Sequence, residues 1–506
     1  MPRLLGAETE YAVADLTGAV AGGGDRLAKA LVKAALAERP SIKPFLANGG
    51  KLYVDQGLHP EFATPECADP REVLRYMRAG DRILSSAAKR LQVARRYGRP
   101  IVLRTNVDYG GDGNTWGCHE SYLHRGVDPA TAARHLIPHL VSRVVFSGAG
   151  GFDPRSKGLR FTLSPRSVYI VKAVSRETMS GRGIFNTRNE ALSDARYGRL
   201  HVICGESLCS DRATWLKLGT TALVVALIEA RDAPGADVQL SDPVAMLHTI
   251  AADPECQALL QLTDGRYATA LDIQREYLSR CEQRLGDPIM PGWAEPLCSD
   301  WRATLDMLAN DPDHAATSLD WAIKRRIYAR RAERLGFPST SWRAWTRVID
   351  MLRRRAGTTP ITARAILGRS SPLRPVVRDL TPYMRDAGLH WSQLDAFLTV
   401  RQELFEIDTR FGQLGGDGIF ERLDARGLLS HQVHGVGDVA TAVDEPPAHG
   451  RARVRARFVR DHAGDTGFDV DWHEIVDRRD PARWIDLSDP FASRAVWREA
   501  ARGPTA

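Results

Sequence analysis

Cysteine is scarce and scattered. The 506-residue chain holds seven, at 67, 118, 204, 209, 256, 281 and 298, and no two form a Cys-x-x-Cys pair. An odd, dispersed set does not build a disulfide framework or a zinc knuckle; it fits free thiols in a reducing cytoplasm. Long apolar runs are also missing. None reaches the roughly 18 consecutive apolar residues of a membrane helix. The opening MPRLLGAETEYAV carries two glutamates where a secretory signal would be apolar. There is no Walker A motif, no dinucleotide fingerprint after the first strand and no kinase catalytic loop. The stretch GGDGNTWGCHE (110–120) is glycine-rich but lacks the Gly-Lys-Ser/Thr ending. Any nucleotide would therefore sit on a sheet.

What is present is ordinary globular composition, 43% hydrophobic and 26% charged, in a chain long enough for two or three domain-sized units. The net charge of +7 conceals an asymmetry. Between Lys324 and Arg378 fifteen basic residues face only Glu333 and Asp350, so this stretch is +13 and the remainder is −6. Such a segment is either a solvated helical surface or an attractor for an acidic polypeptide or nucleic acid.

The first half reads as α+β. Short β-like runs (ETEYAV, KLYVD, PIVLRTNVD, SVYIVKAV, RLHVICG) alternate with helical stretches, the first of them GGGDRLAKALVKAALAE. Residues 214–231 predict a long buried helix, and 270–286 and 299–335 read as helical. Pro and Gly punctuate 336–375, which predicts loops between short helices. From about residue 416 the chain reads as a separate small α/β unit. We therefore expect a body of 1–415, with a basic insertion at about 336–400, and a C-terminal domain of 416–506.

Strand side chains alternate faces. Lys51, Tyr53 and Asp55 share one face, Glu8 and Glu10 another, Arg199 and His201 a third, and Arg104, Asn106 and Asp108 a fourth. Each strand thus pairs an apolar side with an ionisable one. A sheet lining a nucleotide–metal site needs this set. Carboxylates supply hard oxygens to Mg²⁺, and Arg and Lys neutralise phosphate. Cys118 and His119 are strand neighbours pointing to opposite faces, which argues against a thiol nucleophile.

The motifs resemble one family, that of the Pup ligase (proteasome accessory factor A) and its paralogue, the Pup deamidase/depupylase. The segments are GAETEYAV (6–13), NGGKLYVDQGLHPEFATPEC (48–67), NVDYGGDGNTWGCHESYL (106–123), NTRNEALSDARYGRLHVICGES (186–207), LKLGTTALV (216–224), ALDIQREYL (270–278), LDWAIKRRIY (319–328), GDGIFERLDARG (416–427) and AVDEPPAHGRARVRARF (442–458), then VDW (470–472) and SDPF (488–491). They run in family order. The resemblance implies a glutamine-synthetase-like fold, with a concave antiparallel sheet cradling ATP and Mg²⁺ and a small C-terminal domain. It implies a carboxylate–amine ligase that phosphorylates the C-terminal glutamate of Pup, an acidic protein, and passes it to a lysine of an acceptor protein.

By the same resemblance Glu8, Tyr53 and Glu61 match magnesium ligands, and Asp55 matches the catalytic aspartate. Thr64 and Trp472 match ATP contacts. Arg199 and His201 are expected at phosphate or metal. Lys51 stands where the family has an ATP-contacting arginine, keeping the charge but not the bidentate fork. Only residues 14–47 separate the first two motif strands, and most fit one helix. The depupylase carries an extra loop there, so the spacing resembles the ligase.

Arg104-Thr105, Asn189, Ala191-Leu192, Glu206 and Leu208 depart from the family pattern, and these are expected near the active face. Three readings stay open at this point. One is the Pup ligase, with the depupylase as its hydrolytic variant. Another is a relative that activates a different carboxylate. The third is a binding protein that uses the basic 324–378 segment.

Overall fold

The structure, a computed structural model, describes residues 3–18, 23–94, 97–111, 113–357 and 361–499. Gly22, Asp112 of the glycine-rich run, 358–360 of the basic insertion and 500–506 of the C-terminal unit lie outside the described residues.

Nine strands make the main sheet: β1 (Leu5–Glu10), β2 (Ser41–Ile42), β3 (Phe45–Leu46), β4 (Lys51–Val54), β5 (Pro60–Ala63), β6 (Cys118–His124), β7 (Ile170–Ser175), β8 (Arg182–Asn186) and β9 (Gly198–Val202). Their order is β7-β8-β9-β6-β1-β5-β4-β3-β2. Pairing is antiparallel except at one end, where β7 and β8 run parallel with a register shift near Ile170. The α+β class expected from the sequence is present.

One face of this sheet is apolar because alternate residues are. Leu52, Phe62, Cys118, Tyr122, Leu200 and Val202 are buried there, under helices Gly23–Ala37, Pro70–Val93 and Asp211–Glu229. Gly80 lets the Pro70–Val93 helix sit on Phe62; a Cβ would lie 2.4 Å from the ring. The Asp211–Glu229 helix is capped by Ser210, whose hydroxyl accepts from the Ala213 N–H, and is buried from Ala213 to Ile228. A helix apolar on every side belongs in a core, and it falls where the sequence predicts one.

The 299–335 reading needs correction. Two helices, Ala294–Asn310 and Asp320–Arg334, are separated at Asp311-Pro312, because proline has no N–H to continue a helix. So does the 336–375 reading. Ser339–Ala356 is an 18-residue helix. Its stripe of Trp342, Trp345, Val348, Ile349 and Leu352 packs with Phe397 and Leu404 into a second core. Trp345 stacks on Phe397 with centroids 4.8 Å apart.

A minority of the basic residues, at the start of the segment, are matched by acids outside it. Buried Lys324 pairs with Asp408 at 2.7 Å, Arg325 with Glu255 at 2.5 Å and Arg331 with Glu403 at 2.5 Å. Asp408 also accepts from the hydroxyls of Tyr328 and Tyr109.

A third core joins the helix Gly450–Asp461 to a second antiparallel sheet, β10 (Phe468–Val470), β11 (Glu474–Asp477), β12 (Arg483–Asp486) and β13 (Trp497–Glu499), together with Ile42 and Phe45 of the body. Phe420 and Leu429 pack instead with Ile323 and Phe411. No helix among the described residues is long and apolar enough to cross a membrane.

Candidate active site

The polar face of the sheet collects its ionisable groups by register. Glu8 stands opposite Ala63 and His119, and Glu10 opposite Glu61. Glu61 in turn faces Tyr53, and Ala63 faces Lys51. His201 lies opposite Ser121 on β6. Directly opposed residues point to the same side, so Glu8, Glu10, Lys51, Tyr53, Glu61, His119, Arg199 and His201 share one face.

Two groups of donors form there. The first is Glu8, His119 and His201, and the second Glu10, Asp55 and His59. Glu8 lies 3.7 Å from His119 Nδ1, 3.8 Å from His201 Nε2 and 3.5 Å from the Arg199 guanidinium. Burial alone would raise its carboxyl; the hydrogen bond from His119 and the charges of His201 and Arg199 hold it well below the ordinary range. His201 is pushed down to about 3 by burial, and neither ring nitrogen has a hydrogen bond among the described residues. Glu61 is pushed up by burial and by the charges of Glu8 and Glu10. Tyr53 is raised by burial and by Glu61 and Glu8, so it stays a neutral phenol.

Three carboxylates, Glu8, Glu10 and Glu61, stand on two adjacent strands and repel one another. A hard dication relieves that repulsion with the oxygen donors it prefers. The residues present therefore fit Mg²⁺, with Tyr53 offering an uncharged oxygen and His119 and His201 a nitrogen margin.

Asp55 follows β4 in a tight turn. Its Oδ1 accepts the His59 N–H at 2.6 Å, while Oδ2 lies 3.3 Å from His59 Nδ1. One oxygen thus holds the turn, in which Leu58 takes a positive φ of 64°, and the other is left toward the site. His59 also approaches Glu10 at 3.9 Å and leans on Trp116 with centroids 5.3 Å apart. Glu10 is fixed in turn by the Gly117 N–H at 2.6 Å. Arg182, within Coulombic reach of Glu10, is lowered to about 10 by burial and by Arg166.

At the other end of the face a cleft of about 110 Å³ is lined by Leu4–Glu8, Thr64–Glu66, Arg199, Trp472 and Pro490. Thr64 Oγ1 accepts the Ala7 N–H at 3.1 Å. Trp472 lies under the Arg455 guanidinium at 4.7 Å and edge-on to Phe45 at 5.0 Å. Lys51 Nζ sits 5.1 Å from the Tyr53 ring and 5.5 Å from Phe45. The C-terminal unit is clasped to the body by Glu66, which pairs with Arg451 at 2.7 Å and Arg455 at 2.6 Å. Burial would raise Glu66; the two guanidiniums override it and hold it at about 2. A lowered carboxyl stabilises above its unfolded value and loses that contribution as pH falls through its folded value. The clasp is therefore expected to be intact above about pH 4.5 and to weaken from there toward pH 2, checked by Trp472 fluorescence against a Glu66→Gln control that shows no such transition.

The structure thus gathers Glu8, Lys51, Tyr53, Asp55, Glu61, Thr64, Arg199, His201 and Trp472 along one face. Sequence reasoning missed His119, His59 and Arg182 as members. Alternation in CHESYLH marks His119 as facing with Ser121, but its place beside Glu8 is a matter of cross-strand register. Arg104 and Asn106 do not belong. The strand ends at Leu103, Arg104 is buried on Asp81 at 2.8 Å, and Asn106 bonds the backbone of Ser207 at 3.0 and 2.7 Å. Glu206 is also structural, accepting the N–H groups of Ala149 and Arg166. Of the departures from the family pattern, Ala191 and Leu192 do line the cleft.

The model of the family described as Pup-ligase protein matches residues 3–352 and 378–476. The chain belongs to the Pup-ligase family. A Pup–protein ligase of Acidimicrobium ferrooxidans is 32% identical over 504 residues, covering 97% of this chain and 96% of its own. A Pup deamidase/depupylase of Mycobacterium tuberculosis is 40% identical over 439 residues, but covers 85% of this chain and 74% of its own. Among solved structures, the Pup ligase PafA in complex with Pup matches with a TM-score of 0.71 at 26% identity, over 97% of this chain and 90% of its own. PafA in complex with ADP matches at 0.67 and 25%, over 94% and 92%. Within the Pup-ligase family, then, the near-complete coverage in both directions falls on the ligases. Between the two matched spans the model leaves out 353–377, which holds six arginines of the basic segment.

Proposed function

We propose that this Pup-ligase family member is a cytoplasmic, ATP-dependent carboxylate–amine ligase. It joins the side chain of the C-terminal glutamate of Pup, or of a Pup-like acidic peptide, to a lysine of an acceptor protein. The observation that carries this reading is the single polar face that runs from the Trp472 cleft, past Glu8 and Glu61, to Asp55. In this reading the face serves in turn as nucleotide pocket, dication seat and proton acceptor.

A glutamate oxygen of Pup attacks the γ-phosphorus of ATP, ADP leaves, and an acyl phosphate forms. The lysine nitrogen attacks the acyl carbon, phosphate leaves with the bonding pair, and an isopeptide bond remains. The base in fold terms is Asp55. A free lysine has a pKa near 10.4, so about one in 10³ is unprotonated at pH 7, and a carboxylate at the reacting nitrogen takes up its proton. We assign Trp472 and Thr64 to the ATP base and ribose end and Lys51 and Arg199 to phosphate. Glu8, Tyr53, Glu61 and His201 would hold Mg²⁺, which when bound neutralises phosphate charge. In this reading 1–415 carries the chemistry, with its insertion at about 336–400, and 416–506 is the small unit that closes the cleft.

The test is incubation with Mg·ATP, a lysine-bearing acceptor, and Pup ending in glutamate or in glutamine, read by intact mass. A Pup–acceptor adduct from the glutamate form is expected. Deamidation of the glutamine form without an adduct would assign the hydrolytic activity instead. Trp472→Ala is expected to weaken ADP binding about fivefold, from the roughly 1 kcal/mol of an aromatic contact, measured by calorimetry.

A further inference from the structure

Asp55 shares its turn with the side chain of His59. The Asp55 N–H donates to the His59 carbonyl at 2.9 Å, and the Leu58 N–H to the Asp55 carbonyl at 3.2 Å. Pro60 follows, which disfavours a helical backbone at His59 and feeds the chain into β5. The His59 ring comes back to the carboxylate that its own backbone N–H already holds. Nδ1 is turned to two carboxylates, with Asp55 Oδ2 at 3.3 Å and Glu10 Oε2 at 3.9 Å. Carboxylates accept and do not donate, so Nδ1 is the nitrogen that carries the hydrogen. It is buried and has no better-aligned partner among the described residues; catalytic contacts are often long before substrate closes a site. Two neighbours fit the ring to this place. Trp116 backs it with centroids 5.3 Å apart. Gly57 leaves it room, since a Cβ there would lie 2.8 Å from His59 Cε1, 2.9 Å from Nδ1 and 3.2 Å from Asp55 Oδ2.

We propose that His59 is a positioning residue for the amine step. Its Nδ1–H takes one flank of Asp55 Oδ2 and leaves the other flank turned to the incoming lysine. This deepens the ligase reading above and rests on it. A carboxylate can accept at several sites around its two oxygens. Here Oδ1 is spent on the backbone N–H at 2.6 Å, and with Nδ1 beside Oδ2 a single direction stays open. In the step itself the lysine nitrogen attacks the acyl carbon, phosphate leaves with the bonding pair, and the N–H proton passes to Oδ2. His59 keeps its own hydrogen throughout. Phosphoryl transfer from ATP makes no use of Asp55, so His59 should matter to the second half-reaction alone. Glu10, Asp55 and His59 also lie close enough together to hold a cation. Mg²⁺ prefers oxygen donors, and a nitrogen that carries hydrogen offers it no lone pair.

Three variants of the full-length chain separate the donor from the ring. His59→Phe keeps a ring against Trp116 and removes the donor. His59→Asn removes the ring and keeps an N–H near the Nδ1 position. Gly57→Ala keeps the imidazole and pushes it off the carboxylate. Each is mixed with Mg·ATP, Pup ending in glutamate and a lysine-bearing acceptor, and single turnovers are read by mass. ADP release on exposure to Pup should match the wild type in all three. Adduct formation should slow about 10–10²-fold in His59→Phe and Gly57→Ala, the scale of a small misplacement of a catalytic group. The loss should fall on kcat and not on the acceptor KM, and His59→Asn should stay close to wild type. If Phe keeps the adduct rate and Asn loses it, the ring is a packing element and the proposal is overturned. Equal loss of ADP release and adduct in the variants overturns it as well. So does a raised Mg²⁺ requirement for ADP release in both His59 variants, which would give the ring to the metal. Wild-type protein that releases no ADP with Pup would instead remove the ligase reading, and this proposal with it.

Discussion

Asp55→Asn is expected to slow Pup conjugation by about 10²–10⁴-fold while ADP binding is unchanged. The amide keeps the Oδ1 acceptor that takes the His59 N–H, so the turn after β4 survives. What disappears is the charge on the oxygen 3.3 Å from His59 Nδ1, and with it, on the reading proposed above, the acceptor for the lysine proton. Mass-resolved single-turnover assays separate the two half-reactions. ADP release on first exposure to Pup should persist, with adduct formation lost. If both half-reactions run at wild-type rates, Asp55 is not the base.

The second large effect lies behind the sheet. Glu120 is fully buried on the apolar face, held by Arg143 at 2.7 Å, by the Tyr122 hydroxyl at 2.5 Å, and with Lys217 at 4.0 Å. Burial would raise its carboxyl, and the charges of Arg143 and Lys217 keep it low. Removing one partner of a buried pair strands the other charge, at a cost of about 3–5 kcal/mol. Arg143→Met should therefore move the denaturant midpoint far down. Arg143→Met with Glu120→Leu should recover part of that loss, because only the Lys217 ammonium, which still donates to the Glu206 and Cys118 carbonyls, then lacks its carboxylate. A double variant no better than the single would show that the effect is packing, not charge.

The motif residues of the polar face were legible because period-2 alternation marks facing side chains within a strand. Which strands would lie side by side was not. His119 reaches Glu8 through the β1–β6 register, a pairing 111 positions apart that no local pattern encodes. Arg104 misled for the complementary reason. It alternates correctly with Asn106, but the strand stops at Leu103 and the chain turns both residues inward. In the basic segment, Gly336, Pro338 and Gly357 drew attention to turns, while the Trp342–Leu352 stripe carried the helical period between them. There the tertiary context, a hydrophobic face waiting on Phe397 and Leu404, decided the outcome.

The cleft beside Trp472 draws its walls from residues 4–8 and from residues 472 and 490, nearly opposite ends of the polypeptide. Translation delivers the first wall at once and the second only after some 460 further residues have been made. A ribosome-bound or prematurely terminated product has the carboxylates but not the roof. On the reading proposed above, a fragment that ends before residue 472 lacks the second wall of this cleft and is expected not to conjugate Pup.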